Sequence, residues 1–360
     1  MNKLSYPLMG DYNIPTEYLL SHILNVDIIS PPPITNKTIE IGSKYSPEFV
    51  CTPFKYTLGT MIESIEKGAN AVIQFGGGCR YGYYGEVQSQ ILQELGYNVT
   101  FINLITKGKV SIRRIIKELK KVNPKFNKLK ALYHTFITVK MVKYMDIIDD
   151  YIRENIGFEQ IEGSFENLKF SYLKELSKTK GYFDLRKKYR YYAKAFEQIK
   201  IHKPDNPLKV GIIGELYTIM EPFSNYYLEK ELAKNHIEIK RFTNAHYLLF
   251  EKRKKVPKYL KYAKEYIKYK MGADAADNIA RTKYLCEDGY DGIIHIKSSF
   301  CTPEIGAMPI ISKIADEYNV PVLFFSFDAN TSEVGIKTRL EAFYDMLEMR
   351  KIKWKIVTLA

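Results

Sequence analysis

The chain has 360 residues, 46% hydrophobic and 26% charged, with a formal net charge of +13. That length supports a large core and favours two domains over one, and no run of about 18 apolar residues is present to cross a membrane. Four cysteines, Cys51, Cys79, Cys286 and Cys301, are too few for a disulfide scaffold, and MNKLSYPLMGDYNIP lacks the features of a secretory leader, so a cytoplasmic protein with free thiols is expected.

In chain order, Lys3 to Leu8 reads as a short apolar segment, Thr16 to Leu24 as helix and Asp27 to Ser30 as extended. Pro31-Pro32-Pro33 is a stiff connector, because fixed φ and missing donors exclude regular pairing. Helix follows over Thr35 to Lys44, an extended run over Glu48 to Val50, and helix over Phe54 to Lys67. Ala71 to Phe75 is a strand, Tyr83 to Leu95 a helix ended by Gly96, and Asn98 to Leu104 another strand. From Val110 to Ile201 only the helical period persists, as in SIRRIIKELKKV and YYAKAFEQIK, until HKPDNP breaks it. Alternation then resumes with strands at Leu208 to Gly214, Gly292 to Ile296 and Pro321 to Phe327. Helices fall at Asn225 to Lys234, in the basic stretch Lys252 to Lys283, at Glu304 to Tyr318 and at Val334 to Met349. Strands alternating with helices of ten or more residues imply mostly parallel sheets. The expected organisation is an N-terminal α/β lobe (1–108), a helical region with linker (109–205) and a C-terminal α/β lobe (206–360).

The positive excess is concentrated in EKRKKVPKYLKYAKEYIKYK, Glu251 to Lys270, where nine basic residues against two acidic give +7. Tyr259, Tyr262, Tyr266 and Tyr269 recur there at helical spacing, which fits an amphipathic helix burying tyrosine rings and solvating its lysines. A basic nucleic-acid-binding module is the remote alternative, and its affinity would fall steeply with salt.

Cys51-Thr52-Pro53 and Cys301-Thr302-Pro303 each stand where an extended run hands over to a helix, with Thr placed to cap and Pro in the first turn. Cys79, in GGGCRYGYYGEVQ between the strand ending at Phe75 and the helix near Tyr83, has the same station. That edge of a parallel sheet is where ligands bind, and a helix N-terminus favours a thiolate or metal-bound sulfur. The adjacent glycines give the backbone room to approach a bulky group. Cys286, late in a helix, reads as a small buried hydrophobe, and His295 as a satisfied core histidine. The glycines of this stretch miss the G-x-G-x-x-G spacing, no phosphate-loop signature occurs, and no C-x-x-C pair supports a zinc ribbon. A purely structural role for three isolated cysteines stays open at this level.

The stretches YSPEFVCTPFKYTLGTMIESIEKGA, GGGCRYGYYGEVQ, GELYTIMEPFSNYYLEKEL and CTPEIGAMPIISKIADEYNVPVLFFSFDANTSEVGIKTRLEAF resemble the 2-hydroxyacyl-CoA dehydratase D-component family, closest to its CoA-substrate-specific enzyme activase-related branch. The resemblance implies two flavodoxin-like, Rossmann-type lobes holding a [4Fe–4S] cluster through Cys51, Cys79 and Cys301. It also implies subunits working as a homodimer or family pair, electrons from an ATP-dependent activator, and an acyl-CoA substrate, with no membrane partner. The chain carries no activator-type ATP signature, so it would receive electrons for reductive radical chemistry. The alternative is an electron-transfer or partner protein without dehydratase chemistry. Relatives of this branch often read GGCGPCRxGYYGEVQ; the cysteine missing here speaks against a double-cubane cluster. Arg80 and Lys55 are candidates for balancing cluster charge against ordinary surface cations. Glu86 is a candidate base against simple stabilisation of its helix start. Tyr81, Tyr83 and Tyr84 are candidates for shielding the cluster, with core packing as their rival role. Asp328, Thr331 and Glu333 sit in a loop at the site-bearing edge, where capping of the last helix competes as an explanation.

Overall fold

The computed structural model describes residues 3–106, 109–125, 127–269 and 271–359. Residue 108, the expected end of the first lobe, and Lys270 of the basic run lie outside them. The chain is α/β and forms two compact units, one of residues 1–142 with 175–185, the other of 143–174 with 186–360. No helix among the described residues is long and apolar enough to cross a membrane.

In the first unit β1 (Lys3–Ser5), β2 (Asp27–Ile28), β3 (Ala71–Gln74) and β4 (Thr100–Asn103) make a parallel sheet in the order β2-β1-β3-β4. β1 pairs with β3 as Leu4 to Ala71, and β3 with β4 as Val72 to Phe101. The connections are α1 (Asn13–Leu24), α2 (Asn36–Tyr45), α3 (Thr52–Glu66) and α4 (Tyr84–Glu94). A small antiparallel ladder, β5 (Ile105–Thr106) with β6 (Lys109–Val110), precedes α5 (Ile112–Leu119). Side-chain alternation along β3 explains the layering. Ala71 and Ile73 pack with Leu20, Leu24 and Leu119 on one face, while Val72 packs with Leu58, Met61 and Leu92 on the other. Both faces are therefore dry, as parallel sheets require. The expected extended run at Glu48 to Val50 is instead a turn, so Cys51 follows α2 and not a strand. Three residues are too few to compete with the helices on either side.

The helical region forms α6 (Lys128–Asn155), α7 (Ser164–Leu176) and α8 (Tyr182–Glu197). The second unit then repeats the pattern of the first. β7 (Leu208–Gly214), α9 (Leu216–Met220), α10 (Leu228–Lys234), β8 (Ile237–Arg241), α11 (Lys252–Tyr262), α12 (Ala275–Glu287), β9 (Gly292–Ser298), α13 (Thr302–Glu317), β10 (Val322–Phe327) and α14 (Glu333–Leu359) follow in turn. Their sheet order, β10-β9-β7-β8, is that of the first sheet read from its other edge. In both, the first strand lies between the second and third, which is the flavodoxin-type order with its switch point beside the first strand. β8 was not anticipated from the sequence. Its burial alternates strictly along Ile237-Glu238-Ile239-Lys240-Arg241, and the polar half of that alternation hides it among the basic residues around it. α12 and α13 cover one face of the sheet through Ile213, Ile293 and Ile311, and Phe343 of α14 closes over Gly292 on the other. Each such fully buried isoleucine stabilises the fold by roughly 1.5–3 kcal/mol.

At the end of β7 the chain turns sharply. Gly214 has φ +146, and a Cβ there would lie 1.8 Å from the carbonyl oxygen of Ile296. Glu215 follows as the N-cap of α9, its carboxylate accepting from the backbone N–H of Tyr217 at 3.0 Å and Thr218 at 2.9 Å and from the Thr218 hydroxyl at 2.6 Å. Burial pushes this carboxyl up to about 7, those hydrogen bonds oppose the rise, and Asp274 adds to it.

Two outcomes test this corner. Gly214→Ala is expected to cost roughly 3 kcal/mol or more in urea unfolding, since both φ and space forbid a side chain; a loss below about 1 kcal/mol would mean that the corner is not formed as described. Because the folded pKa of Glu215 is raised, its proton favours the folded state at low pH, and that contribution fades as pH climbs from 4.5 toward about 7. Unfolding of Glu215→Gln over that window should therefore lose roughly 3 kcal/mol less than the parent chain. Parallel pH profiles would contradict the assignment.

Candidate functional site

All three candidate cysteines occupy the N-cap position of a helix or helical turn. Cys51 caps α3, Cys79 caps the 3₁₀ turn Arg80–Tyr83, and Cys301 caps α13. Thr52 and Thr302, expected as caps, are instead the first helical residues, with proline next. Neither Cys51 nor Cys301 spends its sulfur on a capping bond. A sulfur at this position faces the unpaired N–H groups and the positive end of the helix.

Cys51 and Cys79 belong to the first unit and share one apolar cluster with Phe54, Tyr81 and Tyr84. Cys51 is 8% exposed and its Sγ is hydrogen-bonded to the Tyr84 hydroxyl. Cys79 is half-buried, and its Sγ accepts the Tyr81 N–H at 3.5 Å. Tyr81 and Tyr84 lie against each other with ring centroids 4.4 Å apart, so a two-ring wall joins the thiol positions. Tyr83 points outward. The glycines divide their work: Gly76 has φ +72, Gly77 packs under Tyr81, and open space lies beside Gly78, next to Cys79. Arg80 and Glu86 are both exposed, the first directly after Cys79 and the second in the first turn of α4.

A buried amide relay that was not anticipated from the sequence ties these loops together. Gln74, the last residue of β3, accepts from the N–H of Phe75 and donates to Gln88 of α4 at 2.7 Å. Gln88 donates to the Thr57 hydroxyl of α3 at 2.8 Å, and Thr57 donates to the Pro53 carbonyl at 2.8 Å. Two glutamines, each spaced inside an otherwise apolar face, are the available signal: a buried amide needs partners, and each supplies the other's.

Cys301 belongs to the second unit, at the end of β9 beside the β7 corner. It is 9% exposed. Lys297, 4% exposed on the same strand, has its pKa pulled down by burial, partly offset by Cys301 and Glu304. Behind it, His295 Nε2 lies 2.7 Å from Glu304, and Asn278 donates to Glu304 at 3.0 Å and to the Gly214 carbonyl at 3.0 Å. His295 is a core residue as expected but only half satisfied: its Nδ1, like Glu304 Oε1 and Asn278 Oδ1, has no hydrogen-bond partner among the described residues. The loop after β10 holds the turn before Cys301, with Ser299 donating to Asp328 at 3.2 Å and Asp328 accepting from Thr331. Cys286 is separate, packed in the core, its thiol pushed up to about 12 by burial.

Within neither unit do three His, Cys, Asp or Glu side chains gather into a metal site among the described residues. Cys51 and Cys79 stand at positive helix ends on an aromatic wall with open space at Gly78, and Cys301, in the other unit, stands at a helix end beside the buried Lys297; thiols so placed are readily held as thiolates, the form that ligates iron.

No curated protein matches the chain. Residues 216–347, which run from α9 into α14 and include Cys301, match the family model described as 2-hydroxyglutaryl-CoA dehydratase, D-component.

Proposed function

We propose that this chain is the iron–sulfur subunit of a 2-hydroxyacyl-CoA dehydratase-like system, with Cys51, Cys79 and Cys301 holding a [4Fe–4S] cluster and an ATP-dependent activator supplying electrons. The carrying observation is the common N-cap station of all three cysteines in a chain whose second unit matches the dehydratase D-component. When bound, a four-iron cluster on three cysteines supplies one-electron reducing power and one iron without a protein ligand.

The chain's own residues have separate tasks in this reading. Helix ends hold the three sulfurs as thiolates without a dedicated base. The Lys297 ammonium, buried next to Cys301, offsets negative charge there, and Arg80 does so at the exposed side of Cys79. Phe54, Tyr81 and Tyr84 keep water from the sulfurs of the first unit. Glu86, exposed one turn into α4, is assigned to proton transfer with an acyl-CoA substrate. A second family subunit, identical or related, completes the assembly.

Protein purified without oxygen is expected to be brown and to carry about four irons and four sulfides per chain. Cys51→Ser, Cys79→Ser and Cys301→Ser should each lose most of the iron, whereas Cys286→Ser keeps it. Full iron content in all three serine variants would end the ligand assignment.

With activator, ATP and a low-potential reductant, turnover of a 2-hydroxyacyl-CoA is expected, and Glu86→Gln should lower kcat by about 100-fold with iron content intact. A cluster that is reduced without any turnover would instead identify an electron-transfer protein.

A further inference from the structure

A cavity of about 290 Å³ opens at the carboxyl end of β8, inside the second unit and away from the cysteines. Its floor is Arg281 of α12, 2% exposed. Nη1 of this guanidinium donates to the Thr243 hydroxyl at 2.7 Å, but Nε and Nη2 have no hydrogen-bond partner among the described residues. The rings of Tyr247, Phe242 and Tyr259 surround it at 4.4, 5.4 and 5.9 Å. They fix its plane without accepting its N–H groups in line.

The carboxylates nearby make no hydrogen bond to Arg281 among the described residues, although Asp277, whose Oδ1 is unpartnered, attracts it through charge. Asp277 accepts the Tyr247 hydroxyl at 2.6 Å and lies 3.4 Å from Lys252. Asp146 accepts the His246 N–H at 2.8 Å, Asp150 accepts from Arg153 at 2.8 Å, and Glu251 pairs with Lys255 at 2.6 Å. Of the other cations in the wall, Lys240 pairs with Glu154 and Arg241 with Glu229. Lys143, exposed at the rim, makes no ion pair among the described residues.

A buried guanidinium left with two unmade hydrogen bonds is costly unless something else completes it. Nε and Nη2 form one edge of the fork, the edge that grips an oxyanion with two parallel bonds. A second cation at the rim, Lys143, which acts on Glu251 only through charge and makes no ion pair among the described residues, favours an anion of more than one charge. The volume is at the small end for a ligand site. The site also lies where open α/β sheets place their ligands. A π-helical turn, Tyr247–Glu251, forms part of the wall, a distortion frequent at functional sites.

We propose that this cavity binds a small phosphorylated ligand, its phosphate held side-on by Arg281 and reached by Lys143. The basic, tyrosine-rich stretch then has a local purpose, since Lys255 and Tyr259 of α11 form one wall of the phosphate site. The proposal is independent of the cluster and stands or falls without it.

Calorimetric titration of the full chain at constant ionic strength, with inorganic phosphate, glycerophosphate and acetate as probes, tests it. The expected result is one site per chain for a phosphate-bearing probe and none for acetate. Tighter binding of glycerophosphate than of phosphate would mark an ester as the ligand class, and the reverse would mark the free ion. Arg281→Lys, which keeps charge but loses the fork, should bind about 10- to 100-fold more weakly. Lys143→Met, at the exposed rim, should weaken binding about 3- to 10-fold with an unchanged circular dichroism spectrum, and it decides the matter if the Arg281 variant does not fold. No heat with either phosphate probe, equal binding of acetate, or undiminished binding in the folded variants would overturn the proposal.

Discussion

Parallel pairing of the first strand of each sheet with the third, β1 with β3 and β7 with β9, is the constraint on which the rest depends. It forces every connection to cross a sheet face as a helix and return, so each helix begins at the same edge of its sheet. Polar and reactive groups then collect at that edge because there alone the backbone offers unpaired donors. The two sheets obey this in the same strand order, and within that order Cys79 and Cys301 are equivalent, each following the third strand. Cys51 is not their equivalent. It stands in the crossover between second and third strands, at the start of a second helix in that connection.

Fold class was legible in the sequence because the strongest strands, Ala71–Gln74, Leu208–Gly214 and Gly292–Ser298, are mostly apolar runs flanked by glycine or turn residues, and each is nearly or wholly buried. β8 was not legible for the opposite reason. Its inward residues are only Ile237, Ile239 and Arg241, and one of these is an arginine paired to Glu229. The stations of Cys51 and Cys301 were legible from proline in the first helical turn, which fixes where a helix starts, and that of Cys79 from its place between an apolar run and a helical pattern. The capping residue itself was misassigned, because threonine is a better cap than cysteine in general, and here the sulfur occupies the cap position without serving as one.

Buried polar groups were the least legible feature. Gln74, Gln88, Asn278, His295 and Glu304 are scattered through the chain and meet only in the fold. A single sequence marks each of them as unusual in its apolar neighbourhood but does not say which completes which. In the first unit the relay from Gln74 through Gln88 to Thr57 is closed, each link finding its acceptor, while Asn103 Oδ1 at the end of β4 has no partner among the described residues. Around His295 it is open at three atoms. The closed set lies behind the two cysteines whose sulfurs share a wall, and the open one behind the cysteine that neighbours a buried lysine.

The amide relay also has an arrow. Gln74 accepts from the N–H of Phe75, at the head of the glycine loop, with its oxygen, so its nitrogen must donate to Gln88; Gln88 then accepts on oxygen and donates from nitrogen to Thr57, whose hydroxyl donates to Pro53. No member can be turned round without setting oxygen against oxygen or hydrogen against hydrogen at the next. A glutamate at either position, though of equal size, has no proton to pass on when ionised. The sequence therefore specifies a directional chain of hydrogen bonds from the glycine loop before Cys79 to the start of the helix that Cys51 begins.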